Sequence, residues 1–468
     1  MSVSFLNAPS TAEGASRRVA MSRSARYSLF ALLALVLVWI GSSSAGTGEP
    51  TSTLKELVLQ AIRTHEAVQL ADSQIRRAQA DIKLVGSALL PKLDLNGSYT
   101  FYNNDLSFEL SPGEKFVVRP AQDWTASVDL RQTLFYGLRD WRARDIARLN
   151  RDIADLDRST TINDLTLQVA GAFYDAVALA EWVEVRRIVL EENQKQLQVA
   201  ERRFEVGEIT IADVARWRAQ VAAAKQALVV ATGDAALARN RLERLVGVAD
   251  LGELVSPGPI PIPPGAEDEL TTSAFEQRLE MQTLIHQLEA AGLFVRLRRG
   301  GWYPEVDFAA QYFQQKAGFP ASDWLSLTLS LRVPIYDGGL TKARVAKAKE
   351  DLREVELLEQ TLQRTITDQV DSAYLGYRAA DAVFDAASER TQAARLAYRQ
   401  VERAYRVGEA STTDLLNATT EATDAETSQI VARAQREFQA ISLRYAVGLP
   451  PLPDLDSRRM SQADPQEN

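Results

Sequence analysis

The spacing of hydrophobic and polar positions changes period several times along the chain, and the changes come twice in the same order. Residues 54–89 place Leu57, Ile62, Val68, Ile75, Ile82 and Val85 at helical intervals with charges between them, and the run ends before Pro91. The period then drops to two. Leu93, Leu95, Tyr99 and Phe101 alternate with Asp94, Asn96, Ser98 and Thr100, which predicts a strand with one apolar and one polar face. A loop bearing Pro and Gly is expected over 103–122. A second strand follows, with Trp124, Ala126, Val128 and Leu130 set against Thr125, Ser127, Asp129 and Arg131. Residues 138–206 contain no proline and a single glycine, Gly171. At about 1.5 Å per residue they predict a helix on the order of 100 Å long. A glycine turn at Gly207 leads into a return helix over 211–246, closed by Gly247.

The same order then runs again. A linker over 251–269, with Pro257, Pro259, Pro261, Pro263 and Pro264, reads as a hinge. Helical spacing covers 270–299, and Pro304 takes the place of Pro91. Val306, Phe308, Ala310 and Tyr312 predict a third strand. Leu325, Leu327, Leu329, Leu331 and Val333, against Ser326, Thr328, Ser330 and Arg332, predict a fourth. A second long helix is expected over 340–407 and a second return helix over 412–447, before Gly448. Both glycine turns precede a capping box, Thr210 with Asp213 and Ser411 with Asp414. The chain therefore reads as a tandem duplication, 54–250 and 270–450, followed by a flexible tail over 451–468. Each long helix matches two shorter ones laid end to end, so the helices predict a tall wall with strands at one end and glycine turns at the other.

Composition narrows what such a wall does. A formal net charge of -9 argues against nucleic acid as a partner. Cysteine is absent, which excludes disulfides and a lipid anchor on cysteine. Only His65 and His286 are present, and there is no phosphate loop or nucleophile elbow, so no enzymatic role, cofactor or metal site is expected. Near the N-terminus an apolar run over 29–40 follows Arg23 and Arg26 and precedes Ser43-Ser44-Ala45. That pattern predicts a signal peptide over 1–45, with Met21 as a possible true start. No other stretch reads as long and apolar enough for a membrane helix, so an exported chain of this kind enters a membrane as strands. Trp124, Trp302, Tyr303, Trp324 and Tyr336 stand near strand ends as candidate interfacial aromatics. Two alternatives stay open: a soluble sheet with one face on the helices, and an exported coiled-coil scaffold without a pore. A membrane sheet of four strands has open edges and needs other copies to close it. Two copies give eight strands and three give twelve, and the pattern does not choose.

Several ordered features together resemble one family. They are the duplicated Val-Gly-x-x-x-x-x-Asp turns at Val206 and Val407, the Leu-Pro-x-Leu strand entry at Leu90, and the Tyr-Asp-Gly-Gly helix entry at Tyr336. In that order and spacing the chain is similar to the outer membrane efflux proteins of the TolC type. The resemblance implies a mainly α fold with transmembrane β: a homotrimer whose four strands per chain close a twelve-stranded barrel in the Gram-negative outer membrane. The long helices then prolong it as a coiled-coil tube across the periplasm. It implies a passive exit duct of an efflux or type I secretion system, with a periplasmic adaptor and an inner-membrane pump as partners. The turns Val206-Gly207 and Val407-Gly408 correspond to the adaptor-contacting tip. The family's acidic pore ring corresponds to Asp414 and Asn417, where Asn417 departs from the usual aspartate. Its closing links correspond to Tyr405 and Asp213, and Ala410 stands in place of an arginine. The residues also allow a plain reading, with Asp213 and Asp414 as helix caps and Tyr405 as packing.

Overall fold

A computed structural model describes residues 51–316 and 322–457. The expected signal peptide, Met21 and residues 458–468 of the expected tail lie outside this range. The described chain opens with a short strand β1, Thr51–Thr53, and helix α1, Leu54–Thr64. Thr53 and Glu56 form a reciprocal capping box at the start of α1. The single helix expected over 54–89 is broken at His65. This residue adopts extended geometry, and its ring nitrogen accepts the Ala67 N–H at 3.2 Å, restarting the chain as α2, Glu66–Gly86. The apolar stripe runs on through the break, which is why spacing alone joins the two pieces.

Strand β2, Lys92–Phe101, follows. The loop expected over 103–122 contains a hairpin, β3 Leu106–Ser111 and β4 Glu114–Arg119, closed at Gly113 with φ 96°. Strand β5, Gln122–Tyr136, leads into helix α3, Arg139–Glu205, and then α4, Ile211–Val246. The linker is less free than its prolines suggest. Its strand β6, Glu253–Val255, pairs in parallel with β1. The Ile260 N–H donates to Glu437 at 3.0 Å, and Arg444 donates to the Pro261 carbonyl at 3.1 Å. The expected hinge is thus tied down at three places.

The second repeat gives α5 Glu267–Gln277, α6 Leu279–Arg299, β7 Glu305–Gln315, β8 Asp323–Arg332, α7 Leu340–Arg406 and α8 Thr412–Ala446. Arg278 breaks the helix expected over 270–299, as His65 does in the first repeat. Both long helices are 67 residues. The segment after Pro450 begins as packed chain rather than a flexible tail, since Leu452 and Leu455 are buried in the main apolar cluster.

That cluster lies midway along α3, where Ile162, Val169 and Phe173 pack with α1, the end of α4 and Ile441 of α8. A second joins α5 and α6 to Ile366 and Val370 of α7. Elsewhere the helices touch through small residues such as Ala200, Ala224, Ala387 and Ala425, which let rods approach closely over their length. Alanine also explains a revision to the membrane reading. By length and composition α4 is apolar and long enough to cross a bilayer, contrary to the reading of the sequence. The helix runs along α3 with Ala224 and Ala231 buried, while Val229 and Val230 stand exposed.

Strand turns into rod at matched places in the two repeats. Gly338 and Gly339 lead into α7 with φ of 66° and 86°, and Gly137 and Leu138 lead into α3 with φ of 60° each. Leu138 therefore holds a left-handed conformation that its counterpart gives to glycine. A side chain there costs about 1–2 kcal/mol. At Gly137 a Cβ would stand 2.3 Å from the Gly300 carbonyl oxygen. Leu138→Gly is expected to stabilise the protein by about 1 kcal/mol, and Gly137→Ala to destabilise it, both read from thermal unfolding.

Candidate functional site

Two parts of the molecule carry the expected functional residues: the glycine turns at one end of the rods and the sheet at the other. At the first turn, Gly207 has φ 79°, its N–H donates to the Phe204 carbonyl, and the Glu208 N–H donates to that of Arg203. At the second, Gly408 has φ 81°, with matching bonds to Tyr405 and Ala404. This paired closure uses the last orphan carbonyls of each long helix, and a left-handed residue is what makes it fit. It leaves Val206 and Val407 at the apex, each 71% exposed.

The next helix begins at once on a capping box in each turn. Thr210 and Asp213 satisfy each other's N–H groups, and Ser411 and Asp414 do the same. The Thr210 hydroxyl, then its N–H, hold the Asp213 carboxyl below the usual range. Ser411 acts on Asp414 in the same way. Both groups are therefore ionised caps at neutral pH. Asp414 and Asn417 are both exposed and stand one turn apart on α8.

Tyr405 goes elsewhere. Its ring is buried with Ala200, Trp217 and Leu415, edged by Ala410. Asp213 bonds to Thr210 and Arg216, so among the described residues of one chain no bond joins it to Tyr405. What joins the two turns is Arg203, which donates to the Arg406 carbonyl at 3.3 Å and lies over the Tyr405 ring. Trp217 is 1% exposed at the centre of this cluster. Reading the sequence missed both residues. The one available signal was a tryptophan near the start of a rod otherwise lined with alanine.

At the other end, β2, β5, β7 and β8 form one antiparallel sheet in that order. Register aligns Leu95, Val128, Tyr312 and Leu325 across it, and beside them Leu93, Leu130, Ala310 and Leu327. The opposite face aligns Asp94, Asp129, Gln311 and Ser326. Asn96, Ser127 and Gln311 all donate to the Asp129 carboxylate, at 2.7, 2.7 and 2.6 Å. Only the centre of the polar face is covered, with Asp129 6% exposed; Asp94, Asn96, Ser98, Thr328 and Ser330 on the outer strands are exposed, and on the apolar face Leu327 is 67% exposed. Among the described residues, none from these four strands belongs to any of the apolar clusters.

The candidate interfacial aromatics divide. Trp124 lies on the apolar face at the far end of the sheet, and Trp302, Tyr303 and Tyr336 are exposed where the strands meet the helices. Trp324 is different: it shares the polar face with Ser326 and stacks on Phe313 at 4.1 Å. Among the described residues no group of three or more His, Asp or Glu side chains is placed to hold a metal. A cavity of about 600 Å³ between α3, α4 and α8 is lined by Tyr174, Trp182, Arg241 and Phe438.

Comparison with known proteins matches this arrangement. The family described as outer membrane efflux protein matches residues 57–248 and 270–449, one segment for each repeat. The efflux protein BepC of Brucella suis is 25% identical over 90% of this chain and 91% of its own length. The outer membrane protein TolC of Salmonella enteritidis is 23% identical over 88% of this chain and 86% of its own. Among solved structures, CusC superposes with a TM-score of 0.73 at 16% identity, covering 85% of this chain and 92% of that one. The CmeC channel of Campylobacter jejuni gives 0.72 at 16% identity, covering 87% and 88%. With both repeats matched, the chain belongs to the outer membrane efflux protein family and is an exit duct of the outer membrane that extends into the periplasm.

Proposed function

We propose that three copies close their sheets into one twelve-stranded barrel, that the rods continue it as a tube, and that the glycine turns form a gated periplasmic tip. There the duct would meet a periplasmic adaptor and, through it, an inner-membrane pump of an efflux or type I secretion system. The observation that carries this reading is the inverted sheet. Its leucine rows stand exposed, the covered centre of the sheet is the polar Ser127 and Asp129, and β2 and β8 leave free edges. In water that arrangement loses burial; in hydrocarbon it is favourable once the edges are paired. The rods agree with it, since Leu237, Leu375 and Leu396 stand exposed along helices that have partners on only part of their surface. A scaffold without a pore gives no account of the inverted sheet.

At the tip, three Asp414 carboxylates would form a ring favouring cations, at half the charge that Asp in place of Asn417 would give. Ala410 packs where the family has an arginine, so the closed state would rest on the Trp217, Tyr405 and Leu415 cluster and the Arg203 bond. Detergent extraction from outer membranes is expected to yield a particle of three times the chain mass; a monomer in the aqueous fraction overturns the reading. In planar bilayers Ala410→Arg is expected to lower the resting current, and Asp414→Asn to reduce cation selectivity. Because both capping carboxyls are depressed, their contribution is complete above the unfolded value near ~3.9 and fades as pH falls through the lower folded values. Amide exchange at the tip is therefore expected to be flat from neutral pH to about 4 and to rise below it, relative to an Asp213→Asn/Asp414→Asn variant.

A further inference from the structure

The junctions between rods and sheet carry a charge opposite to that of the chain. Residues 82–93, 290–304 and 340–349 together hold nine Lys or Arg and no Asp or Glu, in a protein whose formal net charge is -9. The fourth junction, 137–151, holds five Arg against Asp140 and Asp145. Lys83 and Lys92 are exposed beside β2, Arg296 and Arg299 beside β7, and Lys342, Arg344, Lys347 and Lys349 beside β8. None of these eight side chains is in a salt bridge among the described residues. Asp337, just before α7, is taken up by the N–H groups of Gly339 and Thr341, and Glu350 and Asp351, which follow Lys349 in α7, make no salt bridge with these cations among the described residues. On the strand side of this collar stand the exposed rings of Trp302, Tyr303 and Tyr336.

Aromatic rings next to unpaired cations, at the edge of an apolar belt, mark the headgroup layer of a membrane with anionic lipid. The dimensions agree. At about 1.5 Å per residue, Lys342 to Lys349 lie within ~15 Å of the strand end of α7. That is about the headgroup layer plus one Debye length of ~8 Å. Within α7, the buried stripe Thr341, Val345 and Ala348 packs inside the chain. Lys342 and Lys349 flank it on one side, Arg344 and Lys347 on the other. In a tube wall one flank faces lipid and the other the duct.

We propose that this collar binds the phosphate headgroups of anionic phospholipid in the leaflet nearest the helices. The proposal rests on the barrel reading above. It is tested on the full chain reconstituted in phosphatidylcholine vesicles with and without phosphatidylglycerol, by counting the spin-labelled lipid that the protein immobilises. The wild-type protein is expected to immobilise phosphatidylglycerol in preference to phosphatidylcholine, and to lose that preference at about 1 M salt, where the Debye length is ~3 Å. One of two variants, Lys342→Gln/Lys349→Gln or Arg344→Gln/Lys347→Gln, is expected to reduce the preference at least about fivefold. The charge-keeping Lys342→Arg/Lys349→Arg variant is expected to retain it. Equal immobilisation of both lipids overturns the proposal. So does full preference in both neutralised variants, and a change of ion selectivity in both would then place these cations in the duct. Immobilisation of neither lipid overturns the barrel reading, and this proposal with it.

Discussion

Hydrocarbon offers the backbone no hydrogen-bond partner, and the rest of this molecule is arranged around that constraint. The sheet satisfies β5 and β7 on both sides but leaves β2 and β8 each with an unpaired edge. On its polar face Asn96, Ser127 and Gln311 surround the Asp129 carboxylate. A buried carboxylate with three donors is tolerable; without them it would be costly. The four strands therefore satisfy the central carboxylate and leave two open edges, which in the proposed barrel further copies of the same sheet would pair.

Duplication supplies the geometry that such closure needs. The two halves repeat one program at nearly constant length, with 67-residue rods in both, so strands, junctions and tips fall at equal heights. Small side chains keep the rods close, and among the described residues the larger apolar clusters lie at the middle and at the tip. Besides the β3–β4 hairpin, which only the first repeat has room for, departures from the repeat fall at the junction and at the tip. Leu138 takes a conformation that the second repeat assigns to Gly339, and Trp217 has no aromatic counterpart beside the second turn.

At the tip, local and long-range interactions divide the work. The capping boxes and glycine closures are complete within each turn and would form in an isolated hairpin. Joining the turns to one another depends on Trp217, Tyr405, Leu415 and the Arg203 bond, residues far apart in sequence. Such a division would suit the proposed gate, because preformed hairpins could separate without unfolding.

Periodicity by itself located the strands, the rods, the two turns with their caps, and their repetition, because alternation, helical spacing and capping boxes are patterns written within a few residues. It joined α1 to α2 and α5 to α6, since His65 and Arg278 break a helix without breaking its apolar stripe. It read 103–122 as loop, because a short hairpin of mixed polarity shows no clear alternation. Only the tertiary structure decided that Trp324 lies on the polar face, that the linker and residues 451–457 are packed, and that within one chain Tyr405 packs with Trp217. Those outcomes depend on which distant surfaces meet, and the energy of burying a side chain belongs to the surface it meets rather than to its place in the chain.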